Sequence, residues 1–159
     1  VQTPESMSGI GVFYAYLDLQ VVVPEGLPVE ITDSSGDMSV EGVRVVRITD
    51  SSGDITARRL PADVEINDSS GDVRVEDAAG AVRVEDSSGD VVIRGAKSVH
   101  IPQDSSGDMI IERITGDVAI DRDSSGDVFV SDVGGNVAFI ADGSGLVRVT
   151  DVKGTVRLP

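Results

Sequence analysis

Six verbatim copies of Asp-Ser-Ser-Gly-Asp begin at Asp33, Asp50, Asp68, Asp86, Asp104 and Asp123, at steps of 17, 18, 18, 18 and 19. A decayed seventh copy, Asp142-Gly143-Ser144-Gly145-Leu146, follows one further step along. A unit this short cannot bury a hydrophobic face alone, so the chain must stack unit on unit and build its core from neighbours. The repeat also has a half-period of nine. Asp68 to Glu76 and Asp77 to Glu85 both run turn, then apolar-variable-apolar. That alternation is the signature of a strand with one buried face, so each unit supplies two strands and two turns.

The expected inward pairs on the first strand are Met38/Val40, Ile55/Ala57, Val73/Val75, Val91/Ile93, Met109/Ile111, Val128/Val130 and Val147/Val149. On the second strand they are Val46/Ile48, Val64/Ile66, Val82/Val84, Val99/Ile101, Val118/Ile120, Val137/Phe139 and Val156/Leu158. The reading is an all-β fold, a β-solenoid (β-helix) of about seven coils with two strands each, roughly 34 Å long at ~4.8 Å per rung. A three-sided coil is the alternative, because a unit of this length also divides into three sixes. Residues 1–28 are expected to supply N-terminal strands that cap the solenoid, with Phe13, Tyr14 and Tyr16 in the cap, and residues 29–159 the repeats, in one structural domain. The repeat runs to Pro159 without a cap, which suggests that more protein follows or that this end meets a partner.

Charge and composition narrow the function. The chain has 28 acidic against 13 basic residues, the latter scattered singly. It therefore lacks the basic footprint of a nucleic-acid or anionic-lipid binder. No apolar run is long enough for membrane insertion, and Val1 follows no initiator Met or signal peptide, so a mature or trimmed soluble domain is expected. Cysteine is absent, which excludes disulfides and thiolate metal sites without choosing a compartment.

The lead-in from Val21 to Ile31, running straight into serial Ser-Gly-Asp-Val repeats, resembles a bacterial family of adhesin-type repeat domains of unknown function. The resemblance covers about residues 17 to 159. It implies a β-helical domain of bacterial envelope or secreted proteins, placed in the periplasm, at the cell surface or outside the cell. It offers no catalytic residue and no cofactor.

The repeated turn is the main candidate for chemistry. Stacking puts Asp33, Asp50, Asp68, Asp86, Asp104 and Asp123 in one ladder, and Asp37, Asp54, Asp72, Asp90, Asp108 and Asp127 in a second. Like charges ~4.8 Å apart repel by roughly 0.9 kcal/mol in water and about 3.5 kcal/mol at an effective dielectric of 20. Such ladders need compensation. One source is the turn itself, since Asp and Ser accept local N–H groups and Gly takes positive φ. The other is calcium, whose hard-oxygen preference and β-roll repeats fit a nine-residue Gly/Asp period, although the paired glycines of that repeat are missing on the second edge. Stacked serines such as Ser51 and Ser69 would suit ice or crystalline polysaccharide, but they lie at a turn flanked by charge.

Outward strand positions are free of the fold's demands. Val92, Ile110 and Phe129 fall on adjacent rungs and form an apolar stripe, a candidate interface for self-association. Glu41, Arg58, Glu76, Arg94 and Glu112 alternate in sign as an ion-pair ladder would. Catalysis has little support: His100 is the only histidine and falls at an outward position, and acids placed identically in every coil lack the broken symmetry of an active site. The expectation is a non-enzymatic scaffold or adhesin-like module that binds a protein or glycan and can form a homo-oligomer. A calcium-binding module on the two Asp ladders is the alternative.

Overall fold

The computed structural model describes residues 19–159, all of it strand and turn. The strands are β1 (Val29–Thr32), β2 (Met38–Glu41), β3 (Val45–Asp50), β4 (Ile55–Arg58) and β5 (Val64–Asp68). There follow β6 (Val73–Glu76), β7 (Ala81–Glu85), β8 (Val91–Ala96), β9 (Ser98–Gln103) and β10 (Met109–Ile114). The last are β11 (Val118–Asp123), β12 (Val128–Val133), β13 (Val137–Asp142), β14 (Val147–Val152) and β15 (Val156–Arg157). Odd-numbered strands form one eight-stranded parallel sheet and even-numbered strands a seven-stranded one, each strand pairing with those one coil before and after. This is the β-solenoid with two strands per coil.

Period-2 patterning sets the core. Val73, Val75, Val91, Ile93, Met109 and Ile111 from one sheet meet Ile66, Val82, Val84, Ile101 and Ile120 from the other, all essentially inaccessible to solvent. Two expectations are corrected at the ends. Val45, not Val46, is buried at the start of β3, because the β1–β3 register slips between Val29 and Glu30 and leaves Val46 as an extra residue. Val156 and Leu158, expected inside, are 46% and 47% exposed. The proposed cap lies mostly outside the described residues, including Phe13, Tyr14 and Tyr16. Residues 19–28 carry no strand, and Leu19, Val21 and Val22 are exposed.

The solenoid also has a third, one-residue side. Gly42, Arg59, Asp77, Gly95, Arg113, Asp132 and Asp151 stack as a column of corners, with φ between 51° and 78°. Each turns the chain so that the next residue points inward. Leu60, Ala78, Ala96, Ile114 and Val133 are thereby buried and close the core between the sheets.

Candidate functional site

Most backbone groups of the repeated turn, and several of its side chains, have a bonding role. The first Asp bends back on its own turn: Oδ1 of Asp50 accepts the N–H of Ser51 at 2.7 Å and of Ser52 at 3.3 Å. Asp33, Asp68 and Asp86 do the same. The second Ser stitches coils together, its hydroxyl donating to the carbonyl of the first Ser one coil earlier, as in Ser70 to Ser51 at 3.0 Å and Ser88 to Ser69 at 3.2 Å. The glycine N–H donates to the second-Ser carbonyl of the following coil, Gly71 to Ser88 at 3.0 Å being typical.

Glycine is required by close approach as well as by conformation. From Gly53 onward, a Cβ would collide with the backbone carbonyl of the stacked glycine below, and φ runs from 123° to 141° down the column. The second Asp is the other stitch. Oδ1 of Asp54 accepts the N–H of Asp72 at 3.0 Å, Asp72 that of Asp90 at 3.0 Å, and Asp90 that of Asp108 at 2.9 Å. Asp37, Asp108 and Asp127 continue the series. The opposite turn, whose sequence drifts, keeps the same device where an acceptor falls in place: Asp63 takes the Ala81 N–H, Asp117 the Asn136 N–H, and Asn136 the Thr155 N–H.

The two Asp ladders differ in environment. Asp54, Asp72, Asp90 and Asp108 are exposed, whereas Asp50, Asp68, Asp86, Asp104 and Asp123 are at most 5% exposed. Sequence reasoning missed this burial, although the alternation carries a signal for it: along Val64-Glu65-Ile66-Asn67-Asp68 the inward positions continue straight onto the acid. Burial, first of all, pushes the Asp86 carboxyl up to about 6 and the Asp104 carboxyl up to about 7. Neighbouring acids add to it, Asp68 and Asp72 for the former, Asp86 and Asp123 for the latter. Asp68 and Asp123 are raised for the same leading reason.

With one oxygen of most of these carboxylates engaged by backbone N–H groups, the donor set for a cation is depleted. Among the described residues no three or more His, Cys, Asp or Glu side chains gather as they would around a metal ion. A groove of about 330 Å³ follows this edge, lined by Asn67, Glu85, Gln103 and the first serines Ser51, Ser69 and Ser87.

On the seven-stranded sheet, Ile110 is in register with Val92 on one side and Phe129 on the other, and all three are half-buried. The ion pairs beside them are discrete. Arg58 and Arg74 both donate to Glu76, at 2.9 and 2.6 Å, and hold its carboxyl below the usual range, while Arg94 reaches Glu112 at 2.8 Å. Glu41 pairs with Arg59 at the corner instead of with Arg58. His100 is partly exposed and pairs with Asp121 at 2.9 Å.

Stacked two-stranded coils, one uniform turn ladder and a near-constant repeat length coincide with a family match over residues 25–104. The chain belongs to the Toastrack DUF4097 family. Neither a curated protein nor a solved structure matches it. The Toastrack match covers the coils up to Asp104, and the same turn bonding continues past it through Asp127 and Leu146. What Toastrack membership provides is a β-solenoid repeat domain of unknown function.

Proposed function

We propose that this Toastrack domain is a non-enzymatic scaffold or adhesin-like binding module of the bacterial cell envelope or exterior, which self-associates through the outer face of its seven-stranded sheet. The observation that carries the reading is the Val92–Ile110–Phe129 stripe, in which three in-register rungs place apolar side chains outward while flanking rungs carry Arg74 and Arg148. Partly exposed apolar rungs ringed by charge suit a contact surface. The uniform bonding of the turns favours scaffold over catalyst, since those groups are engaged in holding coil to coil. A glycan partner would find amide, carboxylate and hydroxyl groups together in the groove beside Asn67, Glu85 and Ser87.

Sedimentation velocity over a wide concentration range tests the self-association. Wild type should gain mass as concentration rises, and Phe129→Asp should remain monomeric while keeping its melting temperature. A Phe129→Asp variant that associates as wild type does would remove the stripe from the reading.

A further inference from the structure

The buried aspartates form a column inside the wall of the solenoid. Asp50 lies opposite Asp68 on paired strands, Asp104 bridges to Asp123, and Asp123 lies opposite Asp142. Oδ1 of Asp50, Asp68 and Asp86 is taken by the turn N–H groups, and that of Asp123 by the Ser125 N–H. Yet among the described residues Oδ2 of Asp50, Asp68, Asp86 and Asp123 has no hydrogen-bond partner, nor has either oxygen of Asp104, on which the nearby Ser105 and Ser106 N–H groups exert only a weaker pull than burial does. A desolvated carboxylate oxygen without a donor is costly in its charged form, and the cost is removed by taking a proton.

Among the described residues nothing cationic compensates. The side chains that open the facing sheet next to each turn, Ile55, Val73, Val91, Met109 and Val128, are apolar and buried. The charges that bear on the column are acidic: its own members, Asp54 and Asp72 from the exposed ladder, and Asp142 at the far end. Of the residues just before the column acids, Glu85 is held by Arg83 at 2.5 Å, and Arg122 is exposed and forms no ion pair among the described residues. The acids that close each turn, exposed Asp90 and Asp108 and half-buried Asp127, add negative charge on the other side.

We infer that this aspartate column is a proton-binding site, centred on Asp86 and Asp104, whose occupancy makes the solenoid more stable as its surroundings become acidic. The raised values at Asp86 and Asp104 agree in direction. Because the folded chain then holds protons to a higher pH than the unfolded chain does, folding takes up protons between the ordinary carboxylate range and about pH 7. Stability is greatest on the acid side of that window and is lost as pH rises through it, the reverse of what salt-bridged carboxylates produce.

Thermal unfolding of the whole chain in EDTA, at constant ionic strength and from about pH 8 down to about pH 5.5, tests the inference above the range where ordinary carboxylates titrate. Wild type should gain a few degrees in Tm on acidification. Asp104→Asn, which keeps the shape and removes the charge, should melt higher than wild type at the alkaline end and show a flatter dependence. His100→Gln, which removes the one histidine, should keep the wild-type slope. A Tm that is flat or falls on acidification overturns the inference, as does a slope that disappears with His100→Gln.

If Asp104→Asn does not fold, carboxyl ¹³C NMR of wild type decides. At least one aspartate titrating above about pH 5.5 supports the site, and none doing so rejects it. A final arm adds calcium at the alkaline end. If calcium alone raises Tm as far as acid does and flattens the pH dependence, a cation neutralises the column and the proton site is wrong.

Discussion

Two columns of left-handed residues turn this chain, and only one of them demands glycine. At the repeated turn φ lies between 105° and 141°, and from Gly53 onward each glycine rests on the carbonyl of the one below. At the corner column φ lies between 51° and 78°, a region that Asp and Asn enter at modest cost, and the chain places Asp77 and Asp132 there beside Gly95. Gly89→Ala should therefore cost on the order of 3 kcal/mol or more, from backbone overlap together with a disfavoured φ. Gly95→Asn should cost less, about 1 kcal/mol, because its Cβ would press only on the movable Asp77 carboxylate, at 2.8 Å, and not on backbone. Denaturant unfolding of the two variants checks the contrast, and equal losses would mean that the columns are not distinguished as described. The glycine column is visible in the sequence as a repeated letter, but its reason is not, since close stacking of one glycine on another is a property of the rung spacing. The buried Asp68 is hidden by chemistry instead: an acid next to two serines reads as solvated turn, although its parity along β5 points inward.

At the scale of the element, the exposed Asp ladder works as a hydrogen-bond stitch rather than as a row of charges. Its requirement is an acceptor oxygen, and the chain shows the substitute itself: Asn136 takes the Asp position at the opposite turn and accepts the Thr155 N–H at 2.9 Å. Asp90→Asn should consequently be neutral or slightly stabilising, since it keeps the acceptor for Asp108 N–H and removes one repelling charge. Asp90→Ala should lose about 1 kcal/mol through the unmade bond. Chemical denaturation of both variants reads the difference, and equal destabilisation would show that charge is what the position requires. Strands and register are legible because apolar alternation leaves little freedom: Val73/Val75 through Val128/Val130 fall where period 2 puts them. The exceptions sit where a residue is added. Val46 enters as a bulge, and Leu60, Ala78 and Ile114 turn inward only because a left-handed corner precedes them, a step that alternation counting does not contain.

For the whole molecule, coils that touch only their neighbours give stability a gradient along the axis. Core residues in the middle, such as Ile66, Ile93 and Ile111, are sealed, while Val147, Val149 and Val152 in β14 are half-buried and Ile140 and Leu146 are exposed. Amide hydrogen exchange should be slowest in β5 to β10 and rise toward β14 and β15, without a sharp boundary between domains. Uniform protection from β1 to β15 would show that the solenoid opens as one unit. Function at this scale is less legible than fold, because the same verbatim turn that announces a solenoid also suggests a ligand ladder, and only the partners of its atoms tell the two apart.

The stitches between coils join each unit to the next through the same donors and acceptors, so a further coil could be spliced in at any turn without new contacts having to be invented. The length of the domain is in that sense a matter of copying rather than of design. The same Asp stitch closes over steps of 17, 18 and 19 within one chain, which shows how much slippage such copying permits before the rungs cease to align.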